Sequence, residues 1–200
     1  MININVQSSI KIGNIYFDPF KIEDYPKDAK VIFITHSHYD HFDFDSIKKI
    51  ENEDTVFVIP DDSSIKERLK DRKIFVVEPN REYIIDDIKF KTVPAYNINK
   101  SYHKKEYGWV GYVVYLDKIY YIMGDTDNIK EARDIKCDYL FIPIGGTYTM
   151  NYEEAAQLTN IIKPKIVIPT HYGSIVGEKK DFEKFIKLVN NSIKTINILK

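Results

Sequence analysis

Thr35-His36-Ser37-His38-Tyr39-Asp40-His41 is the stretch on which the fold of this chain is decided. It ends an apolar run, Val31 to Thr35, that reads as a buried strand, and it places three imidazoles and a carboxylate within six positions. In a loop at a strand end, alternate side chains such as His36 and His38 can converge on one ion, while Asp40 and His41 turn toward a neighbouring one. Neutral imidazole and carboxylate are ligand types that suit zinc. Histidine supplies 5 of the 200 residues. Three of them and an aspartate at fixed offsets therefore arise by chance with a probability on the order of one in a million per position.

Two other apolar strands break in the same manner. Ile119 to Met123 ends at Gly124-Asp125-Thr126-Asp127, and Lys165 to Pro169 ends at Thr170-His171-Tyr172-Gly173. Glycine lets the backbone turn sharply there and leaves the acidic or imidazole group at a sheet rim. Taken singly, Gly-Asp-Thr-Asp reads as an ordinary turn and His171 as a surface histidine. Neither explains why both fall at strand ends. His103, the remaining histidine, lies in the polar loop Asn97 to Tyr107 beside Lys104 and Lys105. By itself it reads as solvated.

Around these breaks the pattern is strand-rich. Ile2 to Val6 and Ile10 to Phe17, the latter interrupted at Gly13-Asn14, read as an antiparallel meander. Val56 to Ile59, Ile74 to Val77, Glu82 to Ile85, Ile88 to Val93, Trp109 to Leu116 and Asp138 to Ile144 read as further strands, and Thr195 to Leu199 as an edge strand. Helices are predicted from Ser46 to about Glu51 capped by Asp45, from Asp62-Ser63-Ser64 to about Lys70, from Tyr152 to about Ile162, and from Asp181 to Asn190. Asn151 followed by Glu154 forms a capping-box signal for the third. Strands come first, then strands and helices alternate, twice. That order suits an α+β fold of two mixed sheets packed face to face with helices outside, a four-layer αββα sandwich. Periodicity alone leaves α/β and α+β open.

Length and composition narrow the rest. One domain over residues 1–200 is the expected count. With 44% hydrophobic and 30% charged residues the chain is globular, and a net charge of -1 argues against a general nucleic-acid binder. No run approaches the ~20 apolar residues of a membrane span, and Met1 to Gln7 carries no signal-peptide pattern. The single cysteine, Cys137, cannot form an intramolecular disulfide and reads as a buried inert thiol. A cytoplasmic location is compatible with all of this.

The run His36 to His41 resembles the histidine signature of the metallo-β-lactamase superfamily. The segments around Asp125 and His171 look like that family's later metal-binding motifs. Val93-Pro94-Ala95-Tyr96-Asn97 and Pro143-Ile144-Gly145-Gly146-Thr147-Tyr148-Thr149-Met150 resemble a microbial subgroup similar to ascorbate-6-phosphate lactonases and N-acyl-phosphatidylethanolamine phospholipases D. The resemblance runs from about Ile10 to Gly177. It implies one metal held by His36, His38 and His103, a second held by Asp40, His41 and His171, and Asp125 bridging both. One departure is visible. Many relatives place the middle histidine directly after the strand, where this chain has Tyr96-Asn97. His103 must then reach in from further along the loop, or Asn97 or a water must substitute. Histidine at position 38, where oxygen-reducing diiron relatives carry glutamate, points to two zinc ions, with manganese or iron as alternatives.

The expected chemistry is hydrolysis of an ester, lactone or phosphodiester of a small molecule, by a hydroxide shared between two metals and oriented by Asp40. Asn97, Tyr148 and Thr149 are candidate substrate contacts. No Gly-x-Ser-x-Gly elbow supplies a competing nucleophile. Two other functions carry the same residues: a nuclease of the same superfamily, disfavoured by the charge and by the lack of room for an added nucleic-acid arm, and a metal-binding protein without turnover. An iron redox enzyme lacks a flavin or iron–sulfur segment. Substrate identity and oligomeric state are not legible.

Overall fold

A computed structural model of the protein describes residues 2–197. The first half runs β1 (Ile2–Ile4), β2 (Ile10–Ile12), β3 (Ile15–Phe17), β4 (Val31–Phe33), α1 (Phe44–Ile50), β5 (Val56–Pro60), α2 (Ser63–Arg68) and β6 (Lys73–Val77). The second half runs β7 (Glu82–Ile85), β8 (Ile88–Pro94), β9 (Val110–Tyr115), β10 (Ile119–Ile122), α3 (Lys130–Arg133), β11 (Tyr139–Pro143), α4 (Tyr152–Ile162), β12 (Ile166–Thr170), α5 (Asp181–Leu188) and β13 (Lys194–Thr195). The strands form two sheets ordered β1-β2-β3-β4-β5-β6 and β13-β12-β11-β10-β9-β8-β7. Each sheet begins as an antiparallel meander and continues with parallel strands: β3 to β6 in one, β10 to β13 in the other. Parallel neighbours need crossovers, and helices supply most of them.

Alternation along the strands sorts the core into three layers. Between the sheets lie Phe17, Val31, Phe33 and Val58 from one side and Phe90, Tyr112, Val114, Ile122 and Phe141 from the other. Phe33 sits at the centre, stacked on Phe17 at 5.0 Å and edge-on to Phe90 and Tyr112 at 5.1 and 4.9 Å. The opposite faces of the same strands carry Ile32, Phe57 and Ile59 against Ile47 and Ile50 of α1 and Ile65 of α2. On the far side Tyr121, Leu140, Ile142 and Val167 meet Ala132 of α3, Ala155 and Leu158 of α4 and Phe185 of α5. Helices, sheet, sheet, helices: the expected αββα sandwich is the observed fold. The Tyr112 hydroxyl crosses between the sheets and donates to the Ile34 carbonyl at 2.7 Å, just behind the histidine run.

Local differences from the sequence reading have local causes. Helix α1 starts two residues early because Asp43, not Asp45, is its N-cap; Asp43 Oδ1 accepts from the Asp45 amide. The capping box on α4 is present in full, with Asn151 accepting from Glu154 N and Glu154 accepting from Asn151 N. Helix α3 is too short to carry a helical period and is absent from the sequence expectation; it is held by the buried Ile129 and Ala132. The final edge strand is Lys194–Thr195, parallel to β12, and the Ile198 and Leu199 part of the expected strand lies outside the described residues. Among the described residues no helix is long and apolar enough to cross a membrane.

Candidate metal centre

Strands β3 and β4 are parallel neighbours, so the residues that leave their carboxyl ends meet. Asp18 follows β3 and Thr35 follows β4. The fully buried Asp18 carboxylate accepts from the Thr35 amide at 2.8 Å, from the Thr35 hydroxyl at 2.6 Å and from Nδ1 of His41 at 2.8 Å. Burial pushes this carboxyl above its usual range, and the three donors oppose that shift. Because the Thr35 proton goes to Asp18, the same hydroxyl is left to accept from Nδ1 of His36 at 2.9 Å. Both imidazoles are thereby oriented with Nε2 turned away from these partners and toward the rim. His36 Nε2 lies 3.1 Å from His38 Nδ1.

The other sheet brings its residues to the same rim. Asp125 follows β10, where Gly124, at a φ of +66°, turns the chain so tightly against Thr35 that an added Cβ would come within 3.1 Å of the threonine side chain. His171 follows β12. Its own φ is +56°, a conformation unusual for a side-chain-bearing residue, and its amide is held by the Gln7 carbonyl at 3.1 Å. Gln7 is also left-handed at +57°, and its side-chain amide donates to Asp40 Oδ2 at 3.2 Å. Behind His171, Gly145 leaves no room for a side chain: a Cβ there would be 2.2 Å from the His171 carbonyl oxygen.

His103 does reach in. Its loop is clamped by Asp127, whose Oδ1 accepts from Asn97 Nδ2 at 3.1 Å and from Lys100 at 2.6 Å, and whose Oδ2 accepts from the Ile98 amide at 2.9 Å. With its NH2 committed to Asp127 and the Tyr148 carbonyl, Asn97 presents Oδ1 to the His103 amide and to Nδ1 of the ring, at 3.1 and 3.2 Å. His103 Nε2 is left pointing at Asp125 Oδ2, 3.3 Å away. Asn97 thus stands behind His103 rather than in its place.

The result is a compact set of donors. His36, His38 and His103 form one grouping and Asp40, His41 and His171 another, with ligand atoms within 4.8 Å of one another in each. Asp125 lies against both, its oxygens 3.3 Å from His41 Nε2, 3.3 Å from His103 Nε2 and 3.2 Å from His171 Nε2. None of these approaches has hydrogen-bond alignment. The Nε2 atoms of His41, His103 and His171 and Oδ1 of Asp125 are fully buried without a hydrogen-bond partner among the described residues. Buried polar atoms are rarely left so, and four at one point need an explanation. Electrostatics agree with the crowding. Burial and the neighbouring His41 hold His36 well below its ordinary range. Burial also opposes a proton on His171, but Asp125 outweighs it and lifts that imidazole to about 9.

A family model described as a β-lactamase superfamily domain matches residues 10–171. A UPF0173 metal-dependent hydrolase of Pyrococcus abyssi is 30% identical over 198 residues, spanning 91% of this chain and 87% of the relative. The chain belongs to the metallo-β-lactamase superfamily, among its UPF0173 metal-dependent hydrolases. A relative of the same description from Nanoarchaeum equitans is 32% identical over 172 residues, spanning 81% of this chain and 77% of its own. Among solved structures, a protein assigned as a metal-dependent hydrolase from Parabacteroides distasonis matches with a TM-score of 0.85 at 29% identity, over 100% of this chain and 93% of that one. The metallo hydrolase Igni18 of Ignicoccus hospitalis shares the fold, with a TM-score of 0.79 at 20% identity over 99% of this chain and 94% of that one.

Metallo-β-lactamase chemistry requires cations, and the donor set of this chain fits them. Oriented imidazole Nε2 atoms and carboxylate oxygens, buried and unpaired, are what divalent ions of the zinc type accept. Three residues that position this site went unread in the sequence. Asp18 was hidden in a turn, although an acidic residue directly after the apolar run Ile15–Phe17 repeats the pattern of Asp125. Gln7 carries no chemical signal of its own. Trp109 read as the start of a strand; its ring packs on His36, His38 and His103 at 4.8, 5.0 and 5.6 Å, and its indole NH is fixed by Asp62 at 3.0 Å.

A cavity of about 300 Å³ opens onto the metallo-β-lactamase centre, lined by His38, Asp40, Asp125 and His171 together with Tyr39, Tyr102, Tyr148 and Ile175. Of the three expected substrate contacts, Tyr148 lines this cavity. Asn97 and Thr149 do not. Asn97 is spent on His103 and Asp127, and Thr149 is fully buried with its hydroxyl donating to the Met150 carbonyl at 3.2 Å.

Proposed function

We propose that this chain is a zinc-dependent hydrolase that cleaves an ester, lactone or phosphodiester of a small molecule. In this reading His36, His38 and His103 would hold one cation and Asp40, His41 and His171 a second, with Asp125 available to both. The supporting observation is the meeting, at the rim shared by both sheets, of Nε2 of His41, His103 and His171 with Oδ1 of Asp125, all buried and without a hydrogen-bond partner among the described residues. When bound, a pair of divalent cations supplies the Lewis acidity that makes water nucleophilic at neutral pH and offsets charge on a leaving oxygen. The chain's own residues do the rest. Asp40 lines the cavity and is fixed by the Gln7 amide, so its carboxylate can orient the attacking water and accept its proton. Tyr148 also lines the cavity, and its hydroxyl can donate to a substrate oxygen.

The test is a screen of esters, lactones and phosphodiesters with protein purified without chelators, repeated on Asp40→Ala. A loss of turnover on the order of 10²–10⁴-fold is expected for the variant. Full turnover by Asp40→Ala with its metal content verified contradicts the role given to that residue.

A further inference from the structure

Apart from His38, Asp40, Asp125 and His171 of the metal centre itself, the cavity is lined by three tyrosines and an isoleucine. Tyr39, Tyr102 and Ile175 are 66%, 47% and 37% exposed, large hydrophobic side chains left open to solvent around one opening. Tyr102 stands edge-on to Tyr148 at 4.7 Å and 85°, and Tyr39 edge-on to Phe20 at 6.0 Å and 76°. The rings are therefore braced and present flat faces and edges to an incoming group. Among the described residues, the hydroxyls of Tyr39, Tyr102 and Tyr148 make no hydrogen bond to protein, so each is a neutral donor available to a ligand.

Among the described residues no lysine or arginine lines the cavity. The lysines of the neighbouring loop have partners outside the cavity: Lys100 with Asp127 at 2.6 Å and the Thr149 carbonyl at 3.0 Å, Lys105 with Glu131 at 3.0 Å, and the exposed Lys104 more loosely with Glu106 at 3.9 Å. A phosphate remote from the reacting bond would meet tyrosine hydroxyls and ring edges but no counter-charge, and its desolvation would be only partly offset. An aryl or short alkyl group would instead bury against three tyrosines and an isoleucine. A volume of about 300 Å³ is at the small end for ligand pockets and limits that group to about one ring.

We infer that the substrate is an uncharged ester or lactone bearing an aryl or short alkyl group seated against Tyr39, Tyr102, Tyr148 and Ile175, and not a phosphate-bearing molecule. This rests on the hydrolase reading above and narrows it.

Two measurements separate the two. Turnover of phenyl acetate and of a butyl-substituted δ-lactone is compared with that of bis(4-nitrophenyl) phosphate and 6-phosphogluconolactone, each normalised to its uncatalysed rate. The neutral pair is expected to lead by at least about 100-fold in kcat/KM, and Tyr102→Lys to narrow that lead by about tenfold or more. Binding of N-methylbenzamide, a neutral and unreactive analogue, is then followed by saturation-transfer NMR. Tyr102→Ala is expected to weaken it about five- to tenfold. A lead for the phosphate-bearing pair, or amide binding indifferent to Tyr102→Ala, overturns the inference. Amide binding that responds to Tyr102→Ala in a protein that turns over none of the four substrates overturns the hydrolase reading and leaves the ligand class standing.

Discussion

Asp18 accepts from three donors while fully buried, and through them it sets the rings of His36 and His41. A residue that never faces the cavity thus decides which nitrogen of each imidazole is free. Partners of this kind typically control metal affinity by about 10–100-fold. Asp18→Ala is accordingly expected to weaken zinc binding by about that factor in a competition titration, while unchanged affinity would show that Thr35 and packing hold the rings alone. At this scale the sequence discloses the groups that carry chemistry and conceals those that aim them. His36 to His41 and the breaks at Asp125 and His171 stand out because rare residue types cluster or follow apolar runs. Asp18, Gln7 and Trp109 act across separations that no local pattern encodes; Asp18 is 23 residues from His41, and Gln7 is 33 from Asp40.

Elements end where caps stop them, and the caps here can be weighed. Asn151 was legible because its partner Glu154 is three residues away. Asp43 was not, since Asp43 and Asp45 are both acidic residues ahead of the same apolar pattern. The structure separates them: Asp43 accepts from the Asp45 amide at 3.2 Å and from the Ser46 hydroxyl at 2.6 Å. Asp43→Ala should cost ~1 kcal/mol, and Asp45→Ala a few tenths, read as the shift of the urea midpoint at constant slope. Equal losses would mean that the cap contributes nothing beyond charge near the helix start. The 97–107 loop teaches the converse lesson. Its sequence is polar and irregular, and local propensity predicts nothing for it, yet Asp127 and Lys100 fix it so that Asn97 stands behind His103 and turns that ring into the site.

Seen whole, the molecule is two similar halves, each a meander that turns into a parallel sheet, with the site where their rims meet. The four-layer arrangement was legible because apolar strands separated by capped helices recur twice. The short helix α3 and the exact strand ends were not, since tertiary burial and not period decides them. Candidate ligands come from both sheets: His36, His38, Asp40 and His41 from beyond β4, and His103, Asp125 and His171 from the other sheet. Cations bound there would tie the halves together and stabilise the folded state by mass action, about 2.7 kcal/mol at a free concentration 100 times Kd. Stripping the metal should therefore lower Tm by about 5–10 °C, recovered on adding zinc. A Tm indifferent to chelation would mean that the sheets stand without that link.

The most direct test is the number of cations that the rim holds. Zinc titrated calorimetrically into metal-free protein is predicted to bind at about two equivalents per chain in the wild type and about one in His171→Ala, which spares His36, His38 and His103. A stoichiometry below one in the wild type, or one that His171→Ala leaves unchanged, would contradict the account.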